Sequence, residues 1–174
     1  AFIQWNHPGW PDDKSTLYPV HEDLLKAGKI HAVEVLNYME YYPVAFDWCN
    51  QYGIAPMANT DIHDLISGDY GLEPGKMRPM TLVFATERSE KGIKEALFAR
   101  RTAALFDGKL VGKSEYLMKL IQSSLKIRRI NAGTIEVTNI SDIPYEMTNG
   151  GNLYLFPCRK TVRIGIPKEG ALVF

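Results

Sequence analysis

The chain has 174 residues, 45% of them hydrophobic, and carries 20 Lys and Arg against 20 Asp and Glu, for a formal net charge of zero. That is apolar material for one core, or for one domain plus an appendage. Balanced charge without a long run of one sign argues against nucleic acid or an anionic membrane as partner, and no apolar stretch approaches the roughly 20 residues needed to span a bilayer. Cys49 and Cys158 lie far apart with no CxxC, so both read as buried small hydrophobes and leave the redox compartment open.

Phe2-Ile3-Gln4-Trp5-Asn6 reads as a short β-prone run that ends in His7-Pro8-Gly9-Trp10-Pro11. The chain starts without Met inside this run, which leads us to expect a piece of a longer protein, with any signal peptide, and hence localisation, out of view. A Pro-, Asp- and Gly-rich loop through Pro19 leads to Val20, Leu24 and Leu25 at helical spacing, stopped by Gly28. A strand over 30–37 follows (Ile30 to Asn37), then a helix opened by Pro43 with Val44, Ala45, Trp48, Cys49 and Tyr52 as its apolar set, ended by Gly53. Ile54-Ala55-Pro56-Met57-Ala58 is the third strand. The order β-α-β-α-β implies parallel strands with right-handed crossovers.

Directly after that strand come Asn59-Thr60-Asp61-Ile62-His63-Asp64. In extended backbone Asp61 and His63 project to the same side, a carboxylate oxygen and an imidazole nitrogen of the kind that Zn, Mn or Fe accepts. Taken alone, the motif reads better as an Asx turn with a surface histidine. His7 changes that balance, because it stands at the end of a second strand and parallel strands bring their carboxyl ends to one face. Asp64, out of step with the pair, reads as a helix or turn cap.

Residues 59–79 lack periodicity and hold several Gly and Pro, as functional loops do. Arg78 closes this loop, where a guanidinium would hold a phosphate in a bidentate fork; a solvated loop arginine is the equal alternative. Asn37, near a strand's carboxyl end, and Trp10, in the first loop with Tyr18, are further candidates for substrate contact, as is Tyr70, with core packing the more common fate of such rings; Glu34 is expected only to satisfy buried polar groups, and His21 and His31 to be bystanders. A strand over 80–85, a helix capped by Ser89, a hairpin over 102–111 turning at Asp107-Gly108, and a helix opened by Ser114 complete this part. Beyond Leu125 helical periodicity ends. Short strands over 126–130, 134–138, 153–156 and 161–166, separated by turn clusters at 131–133, 149–152 and 167–170, predict a small antiparallel module. The division is therefore expected between 1–124 and 125–174. There is no internal repeat or low-complexity tract.

The stretches NHPGW at 6–10, HAVEVLN at 31–37, NTDIHD at 59–64 and RPMTLVFA from Arg78, with the following ALFARRTAALFDG, resemble the PHP (polymerase and histidinol phosphatase) family of metal-dependent phosphoesterases on a distorted (βα)7 barrel. The likeness covers roughly residues 1–112. It implies an α/β fold corresponding to the later part of such a barrel, with His7, Asp61 and His63 as ligands of divalent ions (Zn, Mn or Fe), two or three in a complete site, acting on a phosphorylated small molecule. The residues that act directly in catalysis are not assigned by it. Family members begin with an HxH and add a further His, a Glu and another His before the strand-end HP; none of these stands upstream here. The expectation is therefore a fragment that needs the N-terminal half of the barrel as partner, or that self-associates, and that is weakly active alone. The tail resembles, loosely, a β module appended to some bacterial members. Two other readings stay open: a non-catalytic binding or structural module on a degenerate barrel, and a metal-dependent amide hydrolase on a related one.

Overall fold

A computed structural model describes residues 1–11, 14–71, 77–149 and 151–165, and the chain forms two compact units, Ala1–Leu117 and Met118–Phe174. The division falls within a helix, Ser114–Ser124, whose end is the expected boundary between 124 and 125. Asp12, Asp13, residues 72–76 of the long loop, Gly150 of the 149–152 turn, and residues 166–170 of the last expected strand and turn lie outside the described residues.

The first unit is a mixed α/β arrangement built on β1 (Gln4–Trp5), β2 (Ala32–Asn37) and β4 (Ala55–Asn59), with β2 paired in parallel to β1 on one side and β4 on the other. β3 (Glu40–Tyr41) folds back antiparallel onto the end of β2 and was not foreseen. Every residue of β2 is buried, as expected of a central parallel strand whose two faces are both covered. Its polar members are Glu34 and Asn37. The crossovers are α1 (Pro19–Lys26) and α2 (Pro43–Tyr52). Pro43 fits the first turn, where an N–H has no helical partner, and Gly53 ends α2 at φ 61°, a left-handed cap. Ala45, Trp48 and Cys49 of α2 enter the core with Val33, Val35, Leu36 and Ile54, and Trp48 stacks on Trp5 at 4.9 Å. Val44 does not; it is exposed, because it lies one residue off the buried stripe. Cys49 is buried as expected, and burial pushes its thiol up to about 12, whereas Cys158 is only partly buried.

The parallel alternation stops at β4. β5 (Met80–Val83), β6 (Thr102–Phe106) and β7 (Lys109–Gly112) form a separate antiparallel sheet. Pro56 has no N–H to offer along β4, and threonine side chains span the gap instead of a ladder. The Thr102 hydroxyl donates to Pro56 O at 2.8 Å, and the Thr81 hydroxyl donates to Ala58 O at 3.0 Å and accepts from Ala58 N at 2.9 Å. Both sheets are small and unclosed. The β6–β7 turn is the expected Asp107-Gly108, both residues at positive φ (47° and 74°), as a two-residue hairpin requires. Ser89 caps α4 (Glu90–Phe98) by accepting from Gly92 N at 3.0 Å. α3 (Ile66–Asp69) follows Leu65 without a side-chain cap, so Asp64 is not its cap.

The second unit holds the end of α5 (Ser114–Ser124), an antiparallel sheet of β8 (Leu125–Asn131), β9 (Thr134–Asn139) and β12 (Thr161–Gly165) in the order β12-β9-β8, and a hairpin of β10 (Tyr145–Asn149) with β11 (Asn152–Phe156). β10 was missed by the sequence reading. Ile135, Val137 and Asn139 alternate inward along β9. The fully buried Asn139 donates to Ile143 O (2.8 Å) and Phe156 O (2.9 Å) and accepts from Ser141 N (2.9 Å), so its amide is satisfied on both sides.

Candidate functional site

β1, β2 and β4 run in the same direction, so the segments leaving their carboxyl ends meet. These segments carry His7 two residues past β1, Tyr38 one residue past β2 and Asp61 two residues past β4. All three have left-handed backbone, at φ 33°, 52° and 49°. For residues other than Gly such conformations cost on the order of 1–3 kcal/mol and cluster where structure serves a ligand. Between them opens a pocket of about 410 Å³ lined by His7, Trp10, Asn37, Tyr38, Glu40, Tyr42, Asp61 and His63. Two imidazoles and two carboxylates thus face one space.

Glu34, expected to satisfy buried polar groups, does so at the strand ends beside the pocket. Glu34 is almost wholly buried at the middle of β2, and its two carboxylate oxygens reach the neighbouring strand ends. One accepts from the backbone N–H of His7 and the other from Asn59 Nδ2 at 2.5 Å; His7 Nδ1 lies 3.6 Å from the first. Burial raises the Glu34 carboxyl above its ordinary value, against the pull of the His7 N–H and the Asn59 amide. The Tyr38 N–H donates to Asn59 O at 3.2 Å, so the segment after β2 is tied to β4 as well.

The aromatic wall is held in a similar way. Tyr42 is buried and its hydroxyl donates to Glu40 at 2.8 Å; burial and the Glu40 carboxylate both push that hydroxyl's titration up. Gly9 is needed against it, since a Cβ there would stand 2.5 Å from the Tyr42 ring. Tyr70, expected at the rim, is instead buried: its hydroxyl donates to Thr60 O at 2.7 Å, its ring meets those of Tyr38 and Phe106, and burial raises it to about 12. Trp10 remains 73% exposed.

Of the residues singled out by sequence, His7, Asp61, His63, Asn37 and Trp10 share this pocket. Arg78 does not. It lines a separate open groove of about 520 Å³ with Asn59, Thr60 and Met80. Tyr18 belongs with Trp5 and His21 to a smaller hollow of about 120 Å³. His31 stands just before β2, at its amino end, accepting from Ile3 N at 3.1 Å and packed against Phe2 and Phe98. The donor types in the pocket suit divalent ions, but among the described residues no group of three His, Cys, Asp or Glu side chains is close enough to hold one.

No protein-family model and no curated protein matches the chain. A solved structure does: a two-domain protein from Bacteroides vulgatus containing a predicted PHP-like metal-dependent phosphoesterase, at 35% identity and a TM-score of 0.83. The PHP resemblance holds in three dimensions. The match takes in 98% of this chain, both units included, and the chain spans 55% of the length of its PHP-like neighbour. The mixed α/β layout described above accords with part of a PHP-like domain.

Proposed function

We propose that this chain is the later part of a metal-dependent PHP-type phosphoesterase, on a barrel-like (βα)7 plan, that hydrolyses a phosphomonoester or phosphodiester. The observation that carries the reading is the meeting of His7 with Asp61 and His63 in one pocket at the carboxyl ends of β1 and β4. These are the residues that the family resemblance implies as ligands. Divalent ions held there would acidify water and neutralise the phosphoryl oxygens. The chain's own share is to supply two imidazoles and a carboxylate from strand ends clamped by Glu34, with Asn37 and Trp10 facing the substrate. Among the described residues these donors do not by themselves form a group that could hold an ion, so on this reading the remaining ligands would come from a part corresponding to the 45% of the neighbour's length outside the match. Zn, Mn and Fe all suit such donors.

The test measures metal content and turnover of a nitrophenyl phosphodiester together, in the chain and in the longer protein. Asp61→Ala and His63→Ala are expected to lower bound metal and abolish turnover in the longer protein, and His31→Ala to leave both nearly intact. Full activity in Asp61→Ala would refute the assignment. Undiminished metal content with no turnover in any form of the protein would favour a binding module over an enzyme.

A further inference from the structure

The sheet of the second unit ends in an open edge. In the order β12-β9-β8, β8 has β9 on one side and, among the described residues, no strand on the other. Alternate residues of an antiparallel strand turn their N–H and C=O away from the partner, so roughly half of the main-chain groups over Leu125–Asn131 face outward without a ladder. Edges of this kind are usually short or bulged. β8 runs for 7 residues, all but Leu125 exposed, and its register slips only at the end, between Arg129 and Asn131.

The two faces of that edge differ in chemistry. On the inner face Ile127 stands opposite Val137, which is fully buried, yet Ile127 is 56% exposed, so the cover over the middle of the sheet stops short of β8. On the outer face lie Lys126, opposite Thr138, and Arg128, opposite Glu136. Glu136 is shared between Arg128 and Arg163, so one carboxylate answers two guanidinium groups and a positive charge is left over beside that of Lys126. Residues 118–174 as a whole carry eight Lys and Arg against four Asp and Glu. Charged side chains on an edge guard it against pairing, and here they guard against one partner in particular. A second copy laid along β8 would bring Lys126, Arg128 and Arg129 against the same three cations, which is destabilising across a strand pair. An acidic strand meets no such barrier. Nucleic acid fits less well, because β8 carries no aromatic ring on which a base could stack, and Glu136 stands between the two arginines.

We propose that β8 is a docking edge for an extended acidic segment of another protein, added as a further strand beside it. The segment sets an apolar side chain against Ile127 and acidic ones on either side of it against Lys126 and Arg128. The order acidic, apolar, acidic follows from the pleat, since neighbours in a strand point to opposite faces. Main-chain bonds supply the affinity, and the three side chains supply the choice of sequence. This edge lies in the second unit and does not depend on the phosphoesterase reading of the pocket.

The experiment is fluorescence anisotropy of the chain titrated against a short labelled peptide that alternates glutamate with valine, at physiological ionic strength. Beside it run the same peptide with proline for its central valine, the same peptide with lysine for glutamate, and a thymidine oligonucleotide of equal charge. The glutamate peptide is expected to bind about tenfold more tightly than each of the others: proline breaks the ladder and keeps the charge, lysine keeps the ladder and reverses it, and the oligonucleotide has charge alone. Lys126→Glu and Ile127→Ser, both at exposed positions where the fold is not at stake, should each weaken the glutamate peptide by about fivefold. Hydrogen exchange should show new protection of amides over 126–130 when that peptide is bound. No binding of the glutamate peptide, or equal binding of the proline peptide, overturns the proposal. So does equal or tighter binding of the lysine peptide or the oligonucleotide, unchanged affinity in either variant, or protection that falls on β1 or β12 and leaves β8 open.

Discussion

Replacing Glu34 separates the roles of its charge and its hydrogen bonds. Glu34→Ala leaves two donors, the His7 N–H and Asn59 Nδ2, without their acceptor in a region where Glu34 itself is 2% exposed. A buried donor left unmade costs about 1–3 kcal/mol, so the pair sets a loss of about 2–6 kcal/mol; removing a desolvated carboxylate offsets part of that, leaving a net of about 2–4 kcal/mol. Glu34→Gln behaves differently. Its oxygen can accept from the His7 N–H, its NH2 can donate to Asn59 once that amide turns over, and no charge is buried, so the expected change is within about 1 kcal/mol. Urea unfolding followed by tryptophan fluorescence reports on this unit, because Trp5, Trp10 and Trp48 all lie within Ala1–Leu117. If Glu34→Ala unfolds at the same urea concentration as Glu34→Gln, the carboxylate does not clamp the strand ends and the reasoning fails.

Metal removal with a chelator should leave the secondary structure of the first unit intact by far-UV circular dichroism, since its core rests on Leu36, Trp48 and their neighbours and not on the pocket; collapse on chelation would show a structural ion instead. On the outer face of the second unit's sheet, Arg163 at 2.9 Å and Arg128 both pair with Glu136 and hold its carboxyl below the usual range. A depressed folded value gives stability that is present above the unfolded value, about 4.3, and lost as pH falls through the folded one. Thermal midpoints between pH 7 and pH 3 should therefore decline less steeply in Glu136→Gln, and parallel curves would refute this. Among the described residues the outer edge of β1 is unpaired and Ile3 is exposed, so we expect self-association, or pairing with an N-terminal partner if the proposed reading holds. Light scattering that stays at the monomer mass over a wide concentration range would count against it.

What could be read from sequence follows from which forces are local. The parallel core was legible because β2 and β4 are apolar runs punctuated by Gly28 and Gly53, and the hairpin because Asp107-Gly108 satisfies a backbone demand that few pairs can meet. β3 and β10 were not. Glu40–Tyr41 is two residues long and exposed, and exists only because the chain must fold back onto β2, while Tyr145–Asn149 owes its form to the partner strand Asn152–Phe156. The ending of the parallel pattern at β4 was hidden too, because nothing near Thr81 or Thr102 announces that their hydroxyls will replace a ladder. In the pocket, residue types marked His7, Asp61 and His63, yet the position of Arg78 in another groove is a matter of tertiary packing that no spacing encodes. The part of Glu34 in satisfying buried polar groups was legible as well. A lone carboxylate within Ala32-Val33-Glu34-Val35-Leu36 would be buried whichever face was covered, and a buried carboxylate must be bonded.

That carboxylate also accounts for why the strained residues persist. His7, Tyr38 and Asp61 each sit in a conformation that their own side chains disfavour, and each is held from a different direction. Glu34 takes the His7 N–H, Asn59 O takes the Tyr38 N–H while Tyr70 braces the Tyr38 ring, and the Tyr70 hydroxyl fixes Thr60 O immediately before Asp61. Asn59 in turn is anchored to Glu34, so the three strand ends share one bonded framework. Local preference is overruled at the ends of three parallel strands around the pocket lined by His7, Asp61 and His63, and the groups that overrule it come from β2 (Glu34), from β4 (Asn59) and from Tyr70 just beyond α3. A fold that needed only to pack would relax these positions with Gly or Asn. Of the three, Tyr38 bears the largest backbone cost, since His and Asp enter left-handed backbone more readily, so the bracing by Asn59 O and the Tyr70 ring matters most there.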